Sequence, residues 1–161
     1  MTEVFNEDLE LEDTQKGKFL TFLLGREEYG IEIKHVTEIV GLQNITEVPE
    51  LPDYVRGIIN LRGKIIPVID VRRRFKKEAR EYDDRTCTIV IDIKETSVGL
   101  IVDTVSEVLS IPDQDIVPPP NINSYHQKYI KGIGKVGSNV KLLLDCDKLL
   151  NDDEMESLKT I

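Results

Sequence analysis

The chain has little of what catalysis and metal binding usually need. Its 161 residues include two histidines and two cysteines. Histidine is the usual base near neutral pH. Neither His35 nor His126 has a serine or cysteine nearby in a nucleophile motif, which argues against a hydrolytic triad. Cys87 and Cys146 stand 59 positions apart, with no C-x-x-C pair and no histidine at ligand spacing, so a zinc site is not expected. They read as reduced core or edge residues. Positive charge is also scarce: 21 Lys and Arg against 30 Asp and Glu leave a net charge of -9. A phosphate backbone would be repelled, so nucleic acid is not an expected partner. The densest basic run is Arg72, Arg73, Arg74, Lys76 and Lys77, followed by Glu78 and Glu81. It reads as solvated surface, with a phosphate site as the minor alternative. Long apolar runs are absent too. Nothing approaches the roughly 20 residues of a spanning helix, and the acidic start, Met1 to Asp8, has no signal-peptide pattern. The expected location is the cytoplasm, without direct membrane insertion.

What is present is a balance of 40% hydrophobic and 32% charged residues, enough for a packed core under a solvated surface. The apolar pattern occurs twice. Phe19 to Leu24, a turn at Gly25 to Glu28, and Tyr29 to Ile33 form a hairpin signature. Val36, Ile39 and Val40, spaced three and four apart, predict a short helical turn over 34–40. The same succession returns at an offset of 69, where Gly30, Val36 and Glu38 fall on Gly99, Val105 and Glu107. A second block repeats at an offset of 75: Val55 to Ile58 on Ile130 to Ile133, and Ile65 to Asp70 on Val140 to Asp145. Gly63 and the Gly137-Ser138-Asn139 cluster supply turns. Two β-rich units of roughly 65 to 70 residues follow, each marginal alone and therefore expected to pack on the other.

Other motifs weaken on inspection. Asp113-Gln114-Asp115 lacks the glycine and glutamate of an EF-hand loop and reads as a turn. Gly132-Ile133-Gly134-Lys135-Val136-Gly137 has no helix to follow it, so it is a hairpin and not a pyrophosphate cradle. Pro118-Pro119-Pro120 reads as a stiff connector that could also dock on another surface. Asn151-Asp152-Asp153-Glu154 opens a terminal helix, with Met155, Leu158 and Ile161 on one face.

Asn60-Leu61-Arg62-Gly63-Lys64-Ile65-Ile66-Pro67-Val68-Ile69-Asp70-Val71-Arg72 resembles the signature of the CheW family of chemotaxis coupling proteins. Glu28 to Ile33, Val98 to Leu109 and Tyr129 to Gly134 resemble it as well, in the same order. The resemblance implies a mainly β fold: two SH3-like five-stranded β-barrels packed on each other, with short helices including one at the C-terminus. The expected boundaries are a flexible acidic tail over 1–16, barrels over 17–82 and 83–150, and a helix over 151–161, one family domain covering about 17–155. It further implies a non-enzymatic scaffold, without cofactor or metal, that couples methyl-accepting chemoreceptors to the histidine kinase CheA in membrane-associated arrays. The partners would be the receptor's cytoplasmic hairpin tip and the kinase's CheW-like regulatory domain. Carried over by position, the receptor contacts are Ile33, Val36, Glu38, Arg56, Gly57 and Arg62, and the kinase contacts Val98 and Ile122. A peptide or small-molecule sensor using the cleft between the barrels is the competing reading; an enzyme using a cleft carboxylate such as Asp70 is a third.

Overall fold

The computed structural model describes residues 15–120 and 125–159, the side chains of 125, 126 and 159 excepted. The expected tail and Ile122 therefore fall almost wholly outside the described residues, as does Ile161. Strands β1 (Lys18–Leu24) and β2 (Glu27–Glu32) form the first hairpin. A 3-10 turn at Ile33–His35 leads into β3 (Val36–Gly41), and β4 (Val55–Leu61) pairs with β5 (Lys64–Asp70). Helix α1 (Val71–Arg74) ends this half. The second half repeats it as β6 (Cys87–Ile93), β7 (Thr96–Val102), β8 (Thr104–Ser110), a two-residue β9 (Ile116–Val117), β10 (Ile130–Val136), β11 (Asn139–Leu144) and α2 (Cys146–Leu149). Helix α3 (Asp152–Lys159) follows.

The strands form two sheets, ordered β3-β6-β7-β5-β4 and β8-β1-β2-β11-β10-β9. Each sheet takes strands from both halves, because the leading hairpins are exchanged. The β6–β7 hairpin joins β5 through a parallel contact at Val68 and Gly99; β1–β2 joins β11 through the equivalent contact at Leu143 and Gly30. The expected boundary between residues 82 and 83 thus does not separate the two sheets. Glycine lets the side chains close over both joints: a Cβ on Gly30 would lie 2.9 Å from Leu143, and one on Gly99 would lie 2.8 Å from Val68 and Thr88, so those side chains would have to shift.

Residues 36–40 are strand, not the expected helical turn. Val36, Thr37, Ile39 and Val40 are β-branched and crowd a helix, whereas in β3 they pair along β6. A bulge between Val36 and Glu38 shifts the phase, which gives a strand an apparent spacing of three and four.

Each sheet curls around its own cluster. Val40, Ile59, Ile66, Val90 and Ile101 come from all five strands of the first sheet and meet in one interior. In the second sheet Phe19, Leu109, Ile116 and Leu143, from four of its six strands, meet with Ile111 in another interior. The largest core lies between the sheets, where Leu20, Phe22, Tyr29, Ile31, Ile89, Ile91, Val98 and Leu100 join residues of the helices. A run of aromatic rings passes through it: Phe22 and Tyr29 stacked at 5.5 Å, Tyr29 and Phe75 tilted at 5.5 Å, and Phe75 and Tyr129 stacked at 5.3 Å.

The basic run is partly structural rather than solvated. Arg74 is buried, donating to the Leu149 carbonyl at 2.8 Å and the Glu154 carboxylate at 2.7 Å, with its guanidinium 4.2 Å from the Tyr54 ring centroid and 5.1 Å from that of Tyr129. These two tyrosines are equivalent in the repeat. Their carbonyls accept from the amides of Asp70 and Asp145, both at 2.8 Å, and each aspartate caps a short helix. Asn151 and Glu154 cap α3 reciprocally, as the sequence predicts.

Candidate functional site

The turn between β4 and β5 sets the geometry of the main candidate strip. Arg62 and Gly63 both have positive φ, 52° and 88°, the conformation of a type I′ hairpin turn. The Asn60 side chain secures it by accepting from the Gly63 amide at 2.8 Å. This turn projects the Arg62 guanidinium toward β3, where its Nη2 donates to Glu38 Oε2. Because β3 and β4 are the two edges of the five-stranded sheet, the pair ties those edges together. The hydrogen bond from Arg62 holds the Glu38 carboxyl below its usual range. With side chains 69% and 29% exposed, this ion pair adds little stability, and its consequence is orientation: a fixed, accessible guanidinium beside a carboxylate.

Val36 lies on the same strand as Glu38, half-buried against the inter-sheet core, and Ile33 in the preceding turn packs in the same way. Both offer part of their surface to solvent. Ile39, next to Glu38 on β3, is 43% exposed, and sequence reasoning missed it as a site residue.

Arg56 and Gly57 do not join this strip. A strand rise of about 3.3 Å per residue places Arg56 roughly 20 Å from Arg62 along β4. Gly57 is buried with φ of +143°, and a Cβ there would lie 2.1 Å from the Thr46 carbonyl oxygen. Its absence lets Thr46 and Ile58 exchange backbone bonds, both 2.9 Å. Gly57 shapes the backbone and has no surface of its own to offer. Arg56 lies 5.9 Å from the Tyr82 ring centroid, and its buried Nε has no hydrogen-bond partner among the described residues.

Val98 requires a correction. It is 0% exposed in the inter-sheet core, so its side chain presents nothing to a partner. Because β7 is buried on both faces, alternation could not reveal this. Asp70, the carboxylate considered for catalysis, is buried as a helix cap and accepts from the Tyr82 hydroxyl at 2.7 Å. Sequence reasoning also missed the Asp103 clamp. Arg72 donates to it at 2.7 and 2.6 Å, Arg80 at 2.9 Å and the Gly25 amide at 2.7 Å, joining a turn of one sheet to the helix of the other. Burial raises the Asp103 pKa, but these donors outweigh it and hold the carboxyl below its usual range.

Comparison with known proteins adds the remaining findings. A family model described as a CheW-like domain matches residues 18–154. A chemotaxis protein CheW of Klebsiella aerogenes is 40% identical over 144 residues, 89% of this chain and 87% of that protein. One from Treponema pallidum is 33% identical, covering 89% and 88% respectively. The crystal structure of a scaffolding protein, TtCheW from Thermoanaerobacter tengcongensis, superposes with a TM-score of 0.80 at 37% identity, covering 86% of this chain and 94% of that one.

Proposed function

The chain belongs to the CheW family, and from that premise we propose that it is a non-enzymatic chemotaxis scaffold joining chemoreceptors to the histidine kinase CheA. The observation that carries this reading is the family match across both sheets and both halves of the repeat, 18–154. A scaffold needs rigid surfaces rather than reacting groups. The exchanged hairpins and the buried Arg74 network make the two sheets interdependent, so two partners would be held at a fixed separation.

The receptor's hairpin tip, a helical surface, meets the strip formed by Ile33, Val36, Glu38 and Arg62. Val36 and Ile33 contribute apolar contact, while Arg62, aimed by Glu38, pairs with a helix carboxylate. Arg56 borders the opposite end of β4, and Gly57 acts on the site through the backbone alone. The kinase's CheW-like domain takes a separate surface in the second half of the chain, with the connector carrying Ile122 as its proposed contact. The protein works in the cytoplasm and is recruited to receptor arrays by these partners; among the described residues no helix is long and apolar enough to cross a membrane.

Titration with a receptor cytoplasmic fragment tests the strip. Arg62→Ala and Val36→Ala should each weaken binding by about 1–3 kcal/mol while leaving the fold intact. Wild-type affinity in both folded variants contradicts the assignment.

A further inference from the structure

The six-stranded sheet holds a cavity of about 820 Å³ at the end of its interior. Its apolar wall is Phe19, Ile116 and Leu143. Around these stand Lys16, Lys18, Lys34 and Lys131, against only two carboxylates, Glu32 and Asp113. Glu32 engages both Lys131 and Lys34. Four lysines against two acids make a positive site in a chain whose net charge is -9.

The repeat shows what such a space accepts. Glu32, Lys131 and Leu143 correspond to Ile101, Arg56 and Val68 in the five-stranded sheet. There the corresponding place is partly occupied by Tyr82, with a space of about 380 Å³ left open beside Arg56, Asp70 and Tyr82. Tyr82 packs on the interior cluster with its ring near Arg56. Its neighbours in sequence are Glu81, Asp83 and Asp84, so one half of the molecule seats an aromatic side chain carried by an acidic segment against its own interior cluster.

We propose that the lysine-rimmed cavity of the six-stranded sheet is a docking site for an acidic peptide segment of a partner protein bearing an aromatic side chain. The ring enters between Phe19, Ile116 and Leu143, and the flanking carboxylates meet Lys18 and Lys131 at the rim. The cavity includes neither Glu38 nor Arg62, although its Glu32 and Lys34 flank Ile33 of the receptor strip, and the proposal does not depend on the coupling role.

The test titrates the full chain with a capped Glu-Tyr-Asp-Asp peptide, followed by amide resonances. Shifts centred on Phe19, Glu32 and Lys131 are expected, with Lys18→Glu and Lys131→Gln each weakening binding about ten-fold while resonances of the five-stranded sheet stay in place. Absence of shifts at the cavity overturns the proposal. Equal shifts from inorganic phosphate, or from the peptide with glycine replacing tyrosine, overturn it in favour of a plain anion site. Binding that appears only after the acidic residues between Glu3 and Asp13 are changed to amides overturns it in favour of the chain's own N-terminal stretch.

Discussion

The two sheets share a backbone plan and differ inside. In the five-stranded sheet Ile59, Ile66, Val90 and Ile101 pack into one apolar interior. The repeat places Gly134, Lys141, Thr21 and Glu32 at the same four positions of the six-stranded sheet. There Lys141 pairs with Glu28, and the Thr21 hydroxyl donates to the Glu107 carbonyl at 2.8 Å. Strand order and turns therefore do not depend on either filling. What must be kept is the common inter-sheet core, the glycines at the parallel joints and the capped helices; each interior is then free to take its own chemistry.

The largest effect should come from exchanging the fillings. Ile66→Lys puts a cation into an interior with no acid to meet it and should cost about 4 kcal/mol in urea unfolding. Lys141→Met, at the equivalent place, leaves only the partly exposed Glu28 without its partner and should cost about 1 kcal/mol or less. Equal costs would mean that the interiors are not energetically distinct.

Next come the bulge glycines. Gly57→Ala meets backbone at 2.1 Å and should cost about 3 kcal/mol, whereas Gly132→Ala meets the Ile116 side chain at 2.9 Å and should cost about 1 kcal/mol. Denaturation midpoints give the ranking, and a reversed order would break it.

The clamp between the sheets responds to acid. A carboxyl whose folded pKa is depressed contributes stability above its unfolded pKa and loses it as pH falls through the folded value. Asp103 should thus support the fold at neutral pH and release it below about pH 4. Asp103→Asn should be less stable at pH 7 by about 1–3 kcal/mol and show a flatter loss between pH 4 and about pH 2. An unchanged acid slope would remove Asp103 from this role.

The smallest effect concerns reactivity alone. Burial above all pushes the Cys146 thiol up to about 12, while Cys87 is half-buried at the start of β6. Iodoacetamide at pH 8 should label Cys87 and spare Cys146 in the folded protein. Labelling of Cys146 at the same rate would show that the inter-sheet core opens readily.

Most strands were legible because alternation and turn residues are local signals, and the repeat doubled each of them. The hairpin exchange was not legible: β2 meets β11 and β5 meets β7 across long stretches of chain, and nothing in local spacing selects those neighbours. The helical turn over 34–40 was misread because a bulge gives a strand the spacing of a helix. Arg62 and Glu38 lie 24 positions apart, and no periodicity joins them; the family resemblance supplied both, and the type I′ turn explains why they meet. Val98 was misplaced because β7 is apolar on both faces. Tyr82 and Asp103 act through distant partners, so they carried no local pattern.

The coupling role is tested most directly by co-sedimenting this protein with a receptor cytoplasmic fragment and CheA, and by following kinase autophosphorylation in the same mixture. The account predicts a ternary complex with altered kinase activity in the presence of the protein, reduced by Arg62→Ala. A folded protein that binds neither cognate component and leaves kinase activity unchanged would contradict it.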